Sequence, residues 1–188
     1  YMPYINKGWD LYKSASTYNE SLPDNNPYEG KLYGSAAPVF PYDLKKMYEK
    51  NDAGILRATP YGNDLLAEFA MKAIEKEELG KDNITDFLTV SFSSTDYVGH
   101  LLGPRSMELQ DTYLRLDQTI ADFLNYLDKT VGKDNYLLFL TADHAGAENV
   151  IYLKDHKYNV DNYPSKEVKK SLQNFSIKTF GVDLIQNY

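Results

Sequence analysis

Two short stretches each set a carboxylate beside an imidazole: Ser94-Thr95-Asp96-Tyr97-Val98-Gly99-His100 and Thr141-Ala142-Asp143-His144. Carboxylate oxygen plus imidazole nitrogen is a donor set that suits zinc, iron or nickel better than magnesium or calcium. The chain has three histidines, and two of them lie in these stretches. Asp96, His100, Asp143 and His144 are therefore the candidate metal ligands. Together they are the pattern of a metal-dependent hydrolase site, or of half of one. Cysteine is absent, which removes thiolate ligands and disulfides from consideration.

Each pair follows an apolar run rich in β-branched and aromatic residues, Phe87–Phe92 and Tyr136–Leu140, that predicts a buried strand. Both pairs would then sit at the C-terminal end of a strand, the edge at which open α/β sheets bind ligands. Gly99 and the Gly103-Pro104 step argue for a loop rather than a helix over Asp96–His100. Asp143 and His144 are adjacent, so both can face one ion only if the chain turns after Thr141. Ala145-Gly146-Ala147 permits that turn. Leu65, Leu66, Phe69, Ala70, Ala73 and Ile74 recur at helical spacing after Pro60. A second amphipathic helix is predicted over Glu108–Lys129 and a weaker third over Lys166–Thr179. Strand, helix, strand, helix predicts an α/β fold with a mainly parallel sheet. Residues 1 to about 42 are predicted to be a packed, loop-rich segment, because turn-forming Asn, Pro and Gly are dense there while abundant Tyr argues against disorder.

Asp-x-x-x-His after one strand and Thr-Ala-Asp-His after the next, with a helix between, resembles the alkaline phosphatase superfamily. The resemblance tightens at Gly103-Pro104-Arg105-Ser106, at Asp111–Asp117 and at Thr59-Pro60-Tyr61-Gly62-Asn63. It is similar there to the monomeric bacterial alkaline phosphatases and the type I phosphodiesterase/nucleotide pyrophosphatases. The resemblance covers residues 55–188 well and residues 1–54 loosely. It implies a partial three-layer sandwich with residues 1–54 as part of a cap. It also implies two zinc ions about 4 Å apart that clamp a phosphate ester. Asp96 and His100 would serve one ion, Asp143 and His144 the other. The family's nucleophile, a further Asp and a third His have no match in this chain, so the chain is expected to be part of a larger enzyme and inactive alone. A periplasmic or secreted location follows from the resemblance only. Ala145 departs from the commoner glycine after the metal-binding His.

The net charge of −7 disfavours nucleic acid as a primary partner, since phosphate backbones require clustered Lys and Arg. It suits an anionic phosphate ester substrate only if bound cations reverse the local field. No apolar run approaches the roughly 18 residues of a membrane span. Tyr1 is not a start residue and no signal peptide is visible. Oligomeric state is not specified. Arg115 and Asp117, with Glu108, Asp111, Asp122 and Asp128, read as an ordinary charged helix face. Thr59 before Pro60 reads as a helix N-cap, His156 as a surface histidine, and Trp9 as core or cap packing. The rival readings are another superfamily enzyme (nucleotide pyrophosphatase, mutase or sulfatase) or a non-catalytic domain that has kept the fold.

Overall fold

Helices supply the regular structure of this chain. The computed structural model describes residues 1–162 and 164–185. Its α-helices are α1 (Met2–Lys7), α2 (Leu44–Asn51), α3 (Tyr61–Lys76), α4 (Ser94–Leu102), α5 (Met107–Leu127), α6 (Val150–Asp155) and α7 (Ser165–Phe180). The chain divides into two compact units, residues 1–149 and a smaller one from Val150 onward. No helix among the described residues is long and apolar enough to cross a membrane.

The expected parallel sheet is the first point of difference. Among the described residues there is no strand, only an isolated antiparallel bridge between Trp9 and Tyr42. The run 87–92 and the run 136–140 are irregular and lack ladder partners. Val90 and Tyr136 pack against the α3–α5 cluster, but most of the other side chains stand in solvent: Phe87 is 91% exposed, Leu137 81% and Phe139 84%. A strand is stabilised only by a neighbouring strand and a covering layer. Composition therefore marks these runs as strand material without supplying what they would pair with.

α4 is the second difference. The loop expected over Asp96–His100 is a helix. Gly99 stays helical at a cost of roughly 1 kcal/mol relative to alanine, and complete burial of Val98 and Leu102 offsets it. Gly103, at φ 102°, ends the helix and turns the chain toward Pro104. Thr59 is the third. No side-chain cap opens α3; the buried Thr59 hydroxyl instead donates to Leu56 O at 2.9 Å and closes the 3-10 turn before it.

Within residues 1–149, Ile5, Trp9, Leu32, Tyr42, Leu44 and Ile55 form a core with Val98 and Leu102 of α4. Ala70 and Ile74 of α3 meet Phe123 and Leu127 of α5 in a second cluster. The periodic helices form where expected, although Phe69 on α3 and Tyr113 on α5 point to solvent, 71% and 58% exposed. In the smaller unit the Ser176 hydroxyl of α7 donates to Val182 O and accepts from Leu184 N.

Trp9 is core packing, as its type suggests, but the face of α5 beneath it is not an ordinary charged surface. Asp111 is wholly buried. Its Oδ1 accepts from Tyr12 N at 2.7 Å and from the Tyr18 hydroxyl; its Oδ2 accepts from Trp9 Nε1 at 2.7 Å and Arg115 Nε at 2.6 Å. Arg115 also donates to Asp10 O. One turn earlier, buried Glu108 accepts from the Tyr42 hydroxyl at 2.5 Å, and its second oxygen is buried without a partner. Asp117, Asp122 and Asp128, all exposed, fit the expected charged face; Glu108 and Asp111 do not.

Asp111→Ala removes one acceptor from four donors, Arg115 among them, and should cost about 3–5 kcal/mol in urea unfolding. Asp117→Ala should change it by less than about 0.5 kcal/mol. Equal effects at the two positions would contradict the hub. Glu108 carries a pH dependence as well. Burial, opposed by the Tyr42 hydrogen bond and aided by the nearby Asp24 and Asp111 charges, pushes its pKa from 4.5 up to about 7. Burial and the charge of Glu108 push Glu29 up to about 7 too. A carboxyl with a raised folded pKa binds its proton more tightly in the folded state. Stability should therefore fall as pH rises from about 4.5 to about 7 and then level off. Glu108→Gln should shrink that fall by on the order of 2 kcal/mol, read from denaturation curves at pH values either side of the window. An unchanged slope would show that Glu108 is not its source.

Candidate metal centre

Helical spacing brings Asp96 and His100 onto one face of α4, with His100 Nε2 at 3.3 Å from Asp96 Oδ1. The segment after residue 140 bends at Asp143 and His144, where the Asp143 side chain accepts from His144 N at 3.1 Å. His144 Nε2 then lies 3.8 Å from Asp96 Oδ1 and 3.7 Å from Asp143 Oδ2. All four residues picked from the sequence thus meet in one place, and Asp96 Oδ1 is the atom that both histidines approach. His144 Nδ1 lies 3.2 Å from Ala145 O. A carbonyl can only accept, so an Nδ1–H would donate to it and leave Nε2 facing the carboxylates.

The neighbouring helices hold α4 in position. Asn63 of α3, itself 1% exposed, donates from Nδ2 to Thr95 Oγ1 at 3.0 Å. Gly62 comes so close to α4 that a Cβ there would sit 2.1 Å from Ser94 Oγ. Ser106 ties the end of α4 to the start of α5: its hydroxyl donates to Gly103 O and accepts from Leu109 N. Thr59-Pro60-Tyr61-Gly62-Asn63 was visible as a motif, but its docking on Ser94-Thr95 had no local signal. His156 lies just after α6, its ring stacked on Tyr152 at 4.0 Å, in the smaller unit.

The donor chemistry fits zinc: two imidazole nitrogens and two carboxylates, accessible at side-chain exposures of 48% for Asp96, 74% for His100, 59% for His144 and 91% for Asp143. Among the described residues no three His, Asp or Glu side chains converge closely enough, as placed, to enclose an ion. The arrangement is a set of paired donors on an open surface rather than a closed structural site.

Comparison with known proteins bears on this geometry. The family model described as Type I phosphodiesterase / nucleotide pyrophosphatase matches residues 7–181. A Myroides odoratus protein named calcium-transporting ATPase is 45% identical over 187 residues, 98% of this chain and 34% of that protein. Alkaline phosphatase PafA of Elizabethkingia meningoseptica is 46% identical over 182 residues, 96% of this chain and 33% of that protein. A crystal structure of wild-type alkaline phosphatase PafA superposes with a TM-score of 0.84 at 47% identity, covering 94% of this chain and 33% of that one. The chain thus spans about a third of the length of the curated relatives it matches.

If these residues give two protein donors to each of two ions, as the resemblance implies, instead of the three or four of a complete zinc site, the 188-residue chain alone should bind zinc at roughly micromolar affinity or weaker. Isothermal titration measures this. A nanomolar dissociation constant would mean that the donor set in this chain is already complete.

Proposed function

The chain belongs to the type I phosphodiesterase / nucleotide pyrophosphatase family, and from that premise we propose that it carries the Asp96–His100 and Asp143–His144 halves of a two-zinc phosphate-ester hydrolase centre. The observation that carries the proposal is that His100 and His144 both approach Asp96 Oδ1 while Asp143 lies against His144. Likeness to alkaline phosphatase PafA over nearly the whole chain supports a phosphatase-type fold and reaction for the complete protein.

In this reading Asp96 and His100 hold one ion and Asp143 and His144 the other. Bound zinc would supply positive charge against the phosphate ester and lower the pKa of the attacking oxygen. The chain's own residues orient the donors. Helix α4 fixes Asp96 and His100 at one-turn spacing. The Nδ1–H bond to Ala145 O turns the His144 Nε2 inward, a backbone partner of the kind that sets imidazole ligands in metal sites. The acidic chain would draw its anionic substrate to the ions rather than to any basic patch of its own. The nucleophile is proposed to lie outside these 188 residues: Thr59 is buried and engaged with Leu56 O, and Thr141 donates to Ala142 O. Residues 1–54 are proposed as part of the cap, and a periplasmic or secreted location as the setting.

The name of the family model favours a second reading, a phosphodiesterase or nucleotide pyrophosphatase built on the same centre. Initial rates on a chromogenic phosphate monoester and on its diester counterpart separate the two.

In the complete enzyme, Asp143→Ala should lower kcat/KM for the monoester by at least about a thousandfold, since it removes an interaction on which ion retention depends, with unfolding unchanged. The isolated chain should give no zinc-dependent turnover in the same assay. Wild-type turnover by Asp143→Ala, or turnover by the isolated chain equal to that of the complete enzyme, would sink the assignment.

A further inference from the structure

We propose that the Arg105–Glu148 ion pair positions Asp143–His144 against Asp96, making Arg105 and Glu148 positioning residues for the metal centre; the proposal rests on the reading of that centre above. The segment 141–149 has no regular structure of its own. Asp143 is 91% exposed, and a Cβ at Gly146 would meet nothing within 4 Å. Packing therefore does little to place it. What holds it to the rest of the unit lies at its end. Arg105 Nε and Nη2 both reach Glu148 Oε2 at 2.7 Å, and Asn149 Nδ2 donates to Tyr28 O at 3.0 Å.

Arg105 is a firm anchor because its own turn is fixed on three sides. Gly103 terminates α4 at φ 102°, Ser106 caps α5, and Arg105 O accepts from Leu22 N at 2.9 Å. The planar guanidinium presents its donors in a preset geometry, which an ammonium does not. The Glu148 side chain is only 25% exposed, and its Oε1 is buried with no hydrogen-bond partner. Its carboxylate thus depends on Arg105 for charge compensation, and a partly buried carboxylate that loses its cation is driven to move toward water. Glu148 is four residues from His144, so a shift at one end is passed to the imidazole through a short length of chain. The Gly103-Pro104-Arg105-Ser106 motif, prominent in the sequence but without a chemical role there, acquires one as the fixed end of this clamp.

The test uses the complete enzyme with Glu148→Gln, Arg105→Lys, the charge swap R105E/E148R, and His144→Ala as reference. Zinc affinity by competition with a chromogenic chelator, kcat and KM for a phosphate monoester at limiting and saturating zinc, and thermal unfolding are read for each. Glu148→Gln should weaken one zinc by about tenfold, the lower range for outer-shell partners of metal ligands. Its kcat should recover at saturating zinc while its unfolding stays that of the parent. Arg105→Lys should show a smaller loss of the same kind, and the swap should restore part of the affinity, which a purely structural role would not predict. Parental zinc affinity in both single variants, with His144→Ala deficient, overturns the clamp and leaves the metal centre standing. Parental zinc affinity in His144→Ala overturns the metal centre and the clamp with it.

Discussion

Asp111 is the constraint on which residues 1–149 depend. A carboxylate at 0% exposure accepts from the Trp9 indole, the Tyr12 amide, the Tyr18 hydroxyl and the Arg115 guanidinium. Such a charge is tolerable in the interior only when every lone pair is used and a cation lies beside it. Both conditions bind the loop-rich start of the chain, which has little regular structure of its own, to one face of α5. Glu108 repeats the device one turn away with Tyr42, less completely, and its orphaned oxygen and raised pKa show the cost of incomplete satisfaction.

From that anchored helix a continuous path leads to the candidate centre. The first turn of α5 is capped by Ser106, whose hydroxyl also binds the Gly103 carbonyl at the end of α4. α4 carries Asp96 and His100, and its first turn is gripped by Gly62 and Asn63 of α3. The ligands on α4 are therefore placed by buried contacts. Those on the segment after residue 140 are placed by a few polar ones. The centre combines a rigid half and a soft half, and the soft half is the one whose geometry depends on single side-chain interactions.

Much of this was legible in the sequence because it is local. α3, α5 and α7 follow their apolar periodicity, and the four candidate ligands were found from residue type and their position after apolar runs. α4 was misread because glycine is a local signal while the burial of Val98 and Leu102 is a tertiary one. The burial of Asp111 was hidden for the same reason: its partners lie 93 to 102 residues away, apart from Arg115 one turn on. The runs 87–92 and 136–140 show the opposite case. Their composition is strand-like, yet no ladder forms among the described residues, because a strand is a property of a pair. Exposed Phe87, Leu137, Phe139 and Leu140 mark a surface with strand chemistry and no partner strand.

The central claim is that Asp96, His100, Asp143 and His144 belong to one metal centre. Anomalous diffraction at the zinc absorption edge, from crystals of the complete protein, tests it most directly. The account predicts peaks within about 2.0–2.2 Å of the Asp96 and Asp143 carboxylates and of the His100 and His144 Nε2 atoms. Peaks bound elsewhere in the protein, with these four side chains free of metal, would contradict it.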